Sequence, residues 1–177
     1  LTYEWITRTS AHLYLIARGG TGARERVERK LAFYFGDAFV EEYGTRFTVF
    51  AGDLTGKGLG LAPDRYGELA GTVEAVVHSA ANVKHYGAYP EFYRDNVVVT
   101  RNLIDFALSG SSIPGSSMPG SLEGQDIDFH HISTMSVGRG RVEGKPAAFF
   151  SEYCHDVGQR FENVYTRSKF EAEKEIL

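Results

Sequence analysis

The chain has 177 residues, of which 42% are hydrophobic and 24% are charged, and its formal net charge is -4. These values predict one globular domain with a sizeable core and no membrane span, and they give no electrostatic case for nucleic acid as the main partner. The single cysteine, Cys154, excludes an internal disulfide. Together with the lack of a signal-peptide pattern, it favours a cytoplasmic protein.

The first half of the chain alternates predicted helices and strands. Residues 1–6 are interpreted as the end of a helix, and the nearly continuous apolar run 12–17 predicts a strand buried on both faces. A helical apolar spacing follows over 23–36, and 46–51 predicts a second strand. A Gly-rich passage then leads to a weak helical pattern at 64–69.

The second half continues the alternation. Residues 73–77 predict a third buried strand, and Pro90 begins a long helical pattern that reaches about Leu108. The Ser/Gly/Pro-rich segment 109–124 predicts a flexible surface insertion rather than a domain linker. Residues 128–132 predict a fourth strand, and the last pattern is a helix around Tyr165. Alternating strands and helices predict an α/β fold with a doubly wound, Rossmann-like parallel sheet over residues 1–177.

Polar or small residues directly follow each predicted strand. The ligand sites of a doubly wound sheet lie at the carboxyl ends of its strands, so these residues are the candidate site. They are Arg18 after the first strand, Asp53 after the second, the Ser79–Asn82 turn after the third, and Thr134 after the fourth.

The last helical pattern contains a tyrosine and a lysine four residues apart. Tyr165 and Lys169 therefore share one helix face, which Ala172 and Ile176 would continue and bury. An ammonium near a phenol favours the phenolate and lowers its pKa, which makes Tyr165 a candidate general acid.

The ordered motifs resemble those of a known family. They are Arg18, Gly52-Asp53-Leu54, His78-Ser79-Ala80-Ala81-Asn82-Val83, Asn96-Val97, Ser133-Thr134-Met135-Ser136-Val137 and Tyr165-x-x-x-Lys169. In order and spacing they are similar to the extended short-chain dehydrogenase/reductases. Within these, Phe150-Ser151-Glu152 and Tyr165-Thr166-Arg167-Ser168-Lys169-Phe170 are most similar to the thioester reductase domains of nonribosomal peptide synthetases and carboxylic acid reductases.

The resemblance implies roles for the candidate residues. Thr134 and Tyr165 would hydrogen-bond the substrate carbonyl oxygen, and Lys169 would hold the nicotinamide ribose and lower the pKa of Tyr165. The remaining cofactor contacts that it implies are Arg18, Arg26, Asp53, Leu54, Ser79, Ala80, Ala81, Asn96 and Ser133.

The implied cofactor is NADPH, because Arg18, with Arg26 as a second cation, stands where an NAD enzyme would carry an acid. The implied reaction releases an acyl or peptidyl thioester from a phosphopantetheinyl carrier domain as an aldehyde or, after further reduction, an alcohol. No metal is expected.

One departure from the family pattern concerns the Gly-rich fingerprint after the first strand of the fold. Gly19-Gly20-Thr21-Gly22 is an alternative phosphate loop, but Gly-x-Gly-x-x-Gly would need glycine at Glu25, and the segment precedes the Asp53 strand by one helix only, as expected after the second strand. The central strand of a 3-2-1-4-5-6 sheet would then lie before Leu1, and a substrate-binding part after Leu177. We therefore expect a partial domain, in which the strand before Arg18 and the strand before His78 are not paired.

Two other readings stay open at this level. One is a nucleotide-sugar epimerase or dehydratase, or a hydroxysteroid-type dehydrogenase, of the same extended family. The other is a non-catalytic dinucleotide sensor, although such sensors typically lose the tyrosine or the lysine. His130 and His131 point to opposite faces of a strand and cannot converge on a metal. His85 is interpreted as a surface histidine, and Cys154 has no recognisable basic partner that would make it a catalytic thiol.

Overall fold

The computed structural model describes residues 1–84, 86–110, 127–146, 150–151 and 153–177. These residues form two compact units, Leu1–Tyr66 and Gly67–Leu177. Each unit combines helices with a parallel two-stranded ladder, which confirms the α/β prediction.

The first unit is a pair of parallel strands packed against helices. Its elements are α1 (Thr2–Arg8), β1 (Leu13–Ala17), α2 (Ala23–Phe35), α3 (Asp37–Tyr43) and β2 (Phe47–Ala51), followed by α4 (Pro63–Ala70), which continues into the second unit. Leu13 pairs with Phe47 and Ala17 with Ala51, so both strands end at the same edge. Four buried apolar side chains form the core: Ile6, Leu31, Phe39 and Phe47.

Helix α3 was not anticipated from the sequence. It follows α2 after a single residue, Gly36, whose backbone has φ 88° and ψ 158°. A positive φ is accessible to glycine at little steric cost, so the chain can leave one helix and start another there. The aromatic ring of Phe39, 6% exposed, anchors α3 in the core.

The second unit has the same plan. Its elements are β3 (Ala75–His78), α5 (Tyr89–Phe92), a π-helical segment (Tyr93–Val98), α6 (Val99–Gly110), β4 (Asp128–His131) and α7 (Val164–Lys174). β3 and β4 are parallel, with Ala75 opposite Asp128 and His78 opposite His131.

Three sequence expectations need correction. The predicted helix 90–108 is interrupted by the π-helical segment and continues to Gly110, so the first two residues of the predicted insertion 109–124 are helical. The described residues do not include 111–126, where the rest of that prediction lies. Helix α7 ends at Lys174, and Ile176 is 40% exposed rather than buried, whereas Ala172 is fully buried as predicted.

In the described part of the chain the four strands form two separate ladders, β1–β2 and β3–β4. This agrees with the expectation that the strand before Arg18 and the strand of His78 are not paired. None of the described helices combines the length and the apolar character that crossing a membrane requires.

Candidate functional site

In the first unit, the carboxyl end of β1 carries two cations. Arg18 directly follows the strand and is exposed. Arg26, on the first turns of α2, reaches back so that its Nη1 donates to the Gly19 carbonyl oxygen at 3.3 Å. Gly19 has φ 113°, and a Cβ there would lie 2.2 Å from the guanidinium nitrogens of Arg26. The glycine therefore provides the space in which Arg26 folds over the end of the strand next to Arg18.

The carboxyl end of β2 forms a tight turn around Asp53. The Oδ1 atom of Asp53 accepts from the Thr55 amide at 3.0 Å and from the Thr55 hydroxyl at 2.8 Å. Its own amide donates to the Leu59 carbonyl at 2.9 Å. Asp53 is exposed, and Leu54 is half-buried. Asp53 is thus an ordered side chain at the same edge of the ladder as Arg18.

In the second unit, β3 ends at a loop that the buried Asn96 fixes in place. Ser79 and Ala80 are exposed and Ala81 is half-buried. The Asn82 amide donates to Asn96 Oδ1 at 2.6 Å, and Asn96 Nδ2 donates back to the Asn82 carbonyl at 3.1 Å. This reciprocal pair holds the backbone just after the three small residues that the sequence assigned to the cofactor.

Asn96 was also predicted to contact the cofactor, and its side chain is hydrogen-bonded within the protein. Its side chain is 1% exposed, and its second Nδ2 hydrogen goes to Ser168 Oγ at 2.8 Å. Both amide hydrogens are therefore used within the protein. Asn96 ties the loop after β3 to α7, and its contact with the cofactor stays a prediction.

The residues after β4 present two hydroxyls with different partners. The Ser133 hydroxyl donates to Glu173 Oε1 on α7. His155 lies on the other side of this carboxylate, with Nε2 2.7 Å from Oε2 but without the alignment of a hydrogen bond. Thr134 caps a short 3-10 helix, where its Oγ1 accepts from the Ser136 amide at 3.3 Å. Accepting uses a lone pair, so the Thr134 hydroxyl proton is still able to donate.

Helix α7 places Tyr165 and Lys169 one turn apart. Asn163 caps its first turn by accepting from the Thr166 amide at 2.8 Å. Tyr165 is half-buried, and Lys169 is 2% exposed. The Lys169 ammonium donates to the Ile132 carbonyl at 2.8 Å and lies 3.1 Å from His131 Nε2. Burial lowers the pKa of Lys169 to about 8, against a smaller opposing effect of Glu173.

Two histidines beside Lys169 were missed as site residues. His131 contacts the lysine, and the His78 ring lies 4.9 Å from the His131 ring. The alternation of a strand puts His131 on the face opposite to the exposed His130, as predicted. Strand register was the missing information, because it is the pairing of His78 with His131 that brings both rings to Lys169.

The structure therefore unites Lys169, His131 and the Ser133–Thr134 strand end in the second unit. Among the residues that the structure describes, no cluster of His, Cys, Asp and Glu could hold a metal ion. Cys154 is exposed in an irregular segment, and His85 falls outside the described residues.

The sequence and fold match known proteins. A family model of NAD-binding domains, described as male sterility protein, matches residues 1–177. A nonribosomal peptide synthetase-like enzyme of Aspergillus fumigatus is 28% identical over 90% of this chain. The carboxylic acid reductase of Mycobacterium tuberculosis is 28% identical over 72% of it.

The fold matches that of a thiolation–reductase di-domain from an archaeal nonribosomal peptide synthetase, with a TM-score of 0.75 and 28% identity over 98% of this chain. The match confirms the Rossmann-like fold class and the resemblance to reductase domains. The chain spans 34% of that solved chain, and 11% and 12% of the two curated relatives.

Proposed function

Because the chain belongs to the male sterility protein family of NAD-binding domains along residues 1–177, we propose that it is the cofactor-binding part of a thioester reductase. Its substrate is an acyl or peptidyl thioester on the phosphopantetheine arm of a carrier domain. The product is an aldehyde, which the same site can reduce further to an alcohol.

One observation carries the proposal. The Lys169 ammonium donates to the carbonyl of Ile132, two residues before Thr134. This hydrogen bond joins the helix that carries Tyr165 to the strand end that carries Thr134, which supports a site in which the phenol and the hydroxyl act together. Two such donors suit a carbonyl oxygen on which negative charge develops.

The residues fit a nicotinamide dinucleotide with a 2′-phosphate. Arg18 and Arg26 supply cationic donors at the end of β1, where an NAD site would carry an acid. Asp53 and Leu54 border the adenine, and the small residues Ser79, Ala80 and Ala81 lie beside the pyrophosphate. Lys169 holds the nicotinamide ribose. The proposed cofactor is therefore NADPH.

When bound, the nicotinamide supplies a hydride to the thioester carbonyl carbon. Thr134 donates a hydrogen bond to the carbonyl oxygen, and Tyr165 donates to it or protonates it. Lys169 stays charged below a pKa of about 8 and favours the phenolate that Tyr165 becomes after giving up its proton. The hemithioacetal then collapses and expels the carrier thiol.

The test is a turnover assay of the full-length protein with an acyl-pantetheine thioester. We expect thioester-dependent oxidation of NADPH, and an aldehyde that is trapped as a hydrazone. Tyr165→Phe keeps the ring and should abolish most of the turnover while folding and NADPH binding survive. Full activity of Tyr165→Phe, or turnover of nucleotide sugars instead of thioesters, would contradict the proposal.

A further inference from the structure

The buried ammonium of Lys169 fixes the protonation state of His131. An ammonium group has only hydrogens to donate, and Nζ lies 3.1 Å from His131 Nε2. His131 Nε2 must therefore be the acceptor in this contact. The imidazole is neutral, and its proton resides on Nδ1.

His78, which pairs with His131 in the ladder, has the opposite tautomer. The Thr100 hydroxyl donates its proton to the Asn96 carbonyl at 2.7 Å. The contact of 2.9 Å between Thr100 Oγ1 and His78 Nε2 must then have the histidine as donor. His78 therefore carries its proton on Nε2.

Both imidazoles are placed where a second proton is unfavourable. A second proton on His78 would lie on Nδ1, which is buried and has no hydrogen-bond partner among the described residues. A second proton on His131 would lie on Nε2, which faces the Lys169 ammonium at 3.1 Å. Burial and then the Lys169 charge lower the pKa of His131 to about 4. Burial, followed by the charges of His131 and Lys169, lowers that of His78 to about 3. At neutral pH one ammonium thus lies beside two neutral rings.

We propose that His131 is the positioning residue of Lys169: its neutral Nε2 and the Ile132 carbonyl bind two ammonium protons and leave the third for the cofactor ribose. The titratable groups that interact with the ammonium are His131 of β4, His78 of β3 and Glu173 of α7. Only His131 and Ile132 accept from it among the described residues. This inference rests on the proposed role of Lys169, but its test does not need turnover.

The acceptor also keeps the lysine charged. A buried ammonium that loses one of two acceptors loses part of what compensates its desolvation. His131→Phe keeps a ring of similar size without an acceptor, whereas His131→Gln retains a carbonyl oxygen. We expect His131→Phe to lower the pKa of Lys169 by about one further pH unit, the equivalent of one hydrogen bond to a charged group.

The experiment is an NMR titration of the Lys169 ammonium in the full-length protein, with the signal assigned by its loss in Lys169→Arg. Wild-type protein and His131→Gln should titrate near the same pH, and His131→Phe at a lower one. In wild-type protein, nitrogen NMR should show the His131 proton on Nδ1 and the His78 proton on Nε2. NADPH should bind about tenfold more weakly to His131→Phe.

An unchanged Lys169 titration in His131→Phe, or a His131 proton on Nε2, overturns the inference. If His131→Phe does not fold, the tautomer in wild-type protein decides. Each of these measurements is independent of thioester reduction, so a failed turnover assay would contradict the proposed function without affecting the positioning role.

Discussion

The two units offer candidate site residues of opposite kinds. In the first unit Arg18, Arg26 and Asp53 are all exposed, and the packed core of this unit is apolar. In the second unit Lys169 and Asn96 are buried and hydrogen-bonded across several elements.

This difference predicts different responses to substitution. An exposed cation on a turn can recognise a phosphate, and its replacement leaves the core intact. A buried ammonium depends on its acceptors for its charge and position, so replacing any member of that network changes stability and reactivity together. Substitutions in the first unit should therefore alter cofactor choice, and those in the second should alter rate, pH dependence and stability.

The largest effect is expected at Thr134. Thr134→Ala removes a donor to the developing oxyanion, and kcat should fall by a factor on the order of 10²–10³ with little change in NADPH affinity. Thr134→Ser keeps the hydroxyl and is the matched control. Steady-state kinetics and NADPH binding by fluorescence measure both quantities. Equal losses in the two variants would show that Thr134 contributes by packing.

The next prediction compares how the stabilities of the β1–β2 and β3–β4 ladders depend on pH in acid. Unfolded histidines take up protons near pH 6.5, whereas folded His131 and His78 do so only near pH 4 and 3. Between pH 6.5 and 4 the unfolded state binds more protons, so stability falls as the pH falls. Each histidine contributes a slope of up to about 1.4 kcal/mol per pH unit.

Hydrogen exchange of the strand amides, corrected for intrinsic rates, measures this slope in the full-length protein. The β3–β4 amides should lose protection over this window, and those of β1–β2 should lose less, since the first unit contains only the exposed His12. His131→Phe should remove about half of the slope in β3–β4. Equal slopes in the two ladders would contradict the buried neutral histidines.

A smaller effect is expected for cofactor choice in the first unit. Arg18→Asp replaces the proposed phosphate ligand by an acid, and the NADPH preference over NADH in kcat/KM should fall by about 10- to 100-fold. Arg29→Asp, an exposed site on α2, makes the same charge change as a control. If Arg18→Asp leaves the ratio of kcat/KM for NADPH and NADH unchanged, Arg18 does not bind the 2′-phosphate.

The sequence predicted the features that depend on local patterns, and it did not predict those that depend on contacts between distant parts of the chain. All four strands were predicted to within about two residues, and β1, β2 and β3 were predicted because parallel strands tend to be apolar runs. Strand β4, Asp128–His131, is not such a run. The placement of Tyr165 and Lys169 one turn apart on a helix followed from sequence spacing alone. The role of His131 did not, since it depends on register between strands that lie about 50 residues apart in the chain.

Local backbone structure explains two other features that the sequence did not predict correctly, the position of Asn96 and the exposure of Ile176. The π-helical segment lets Asn96 point at the loop after β3, and no propensity marks such a segment in advance. The burial predicted for Ile176 was wrong because helical spacing does not reveal where a helix ends.

The smallest effect tests whether an exposed residue of the second unit behaves like those of the first. Asn163 is exposed, yet its Oδ1 accepts from the Thr166 amide at the start of α7. The first turn of α7 contains no acidic residue that could otherwise compensate the helix dipole. Asn163→Ala should therefore destabilise this turn by about 1 kcal/mol, and Asn163→Asp should not. Hydrogen exchange at the Thr166 amide measures the difference.

Because Tyr165 is the second residue of the helix, fraying should also lower kcat more than NADPH affinity. If Asn163→Ala leaves both exchange and kcat unchanged, buried contacts alone hold the start of α7. An exposed residue of the second unit would then behave like the exposed residues of the first unit, and exposure would decide whether a substitution changes stability.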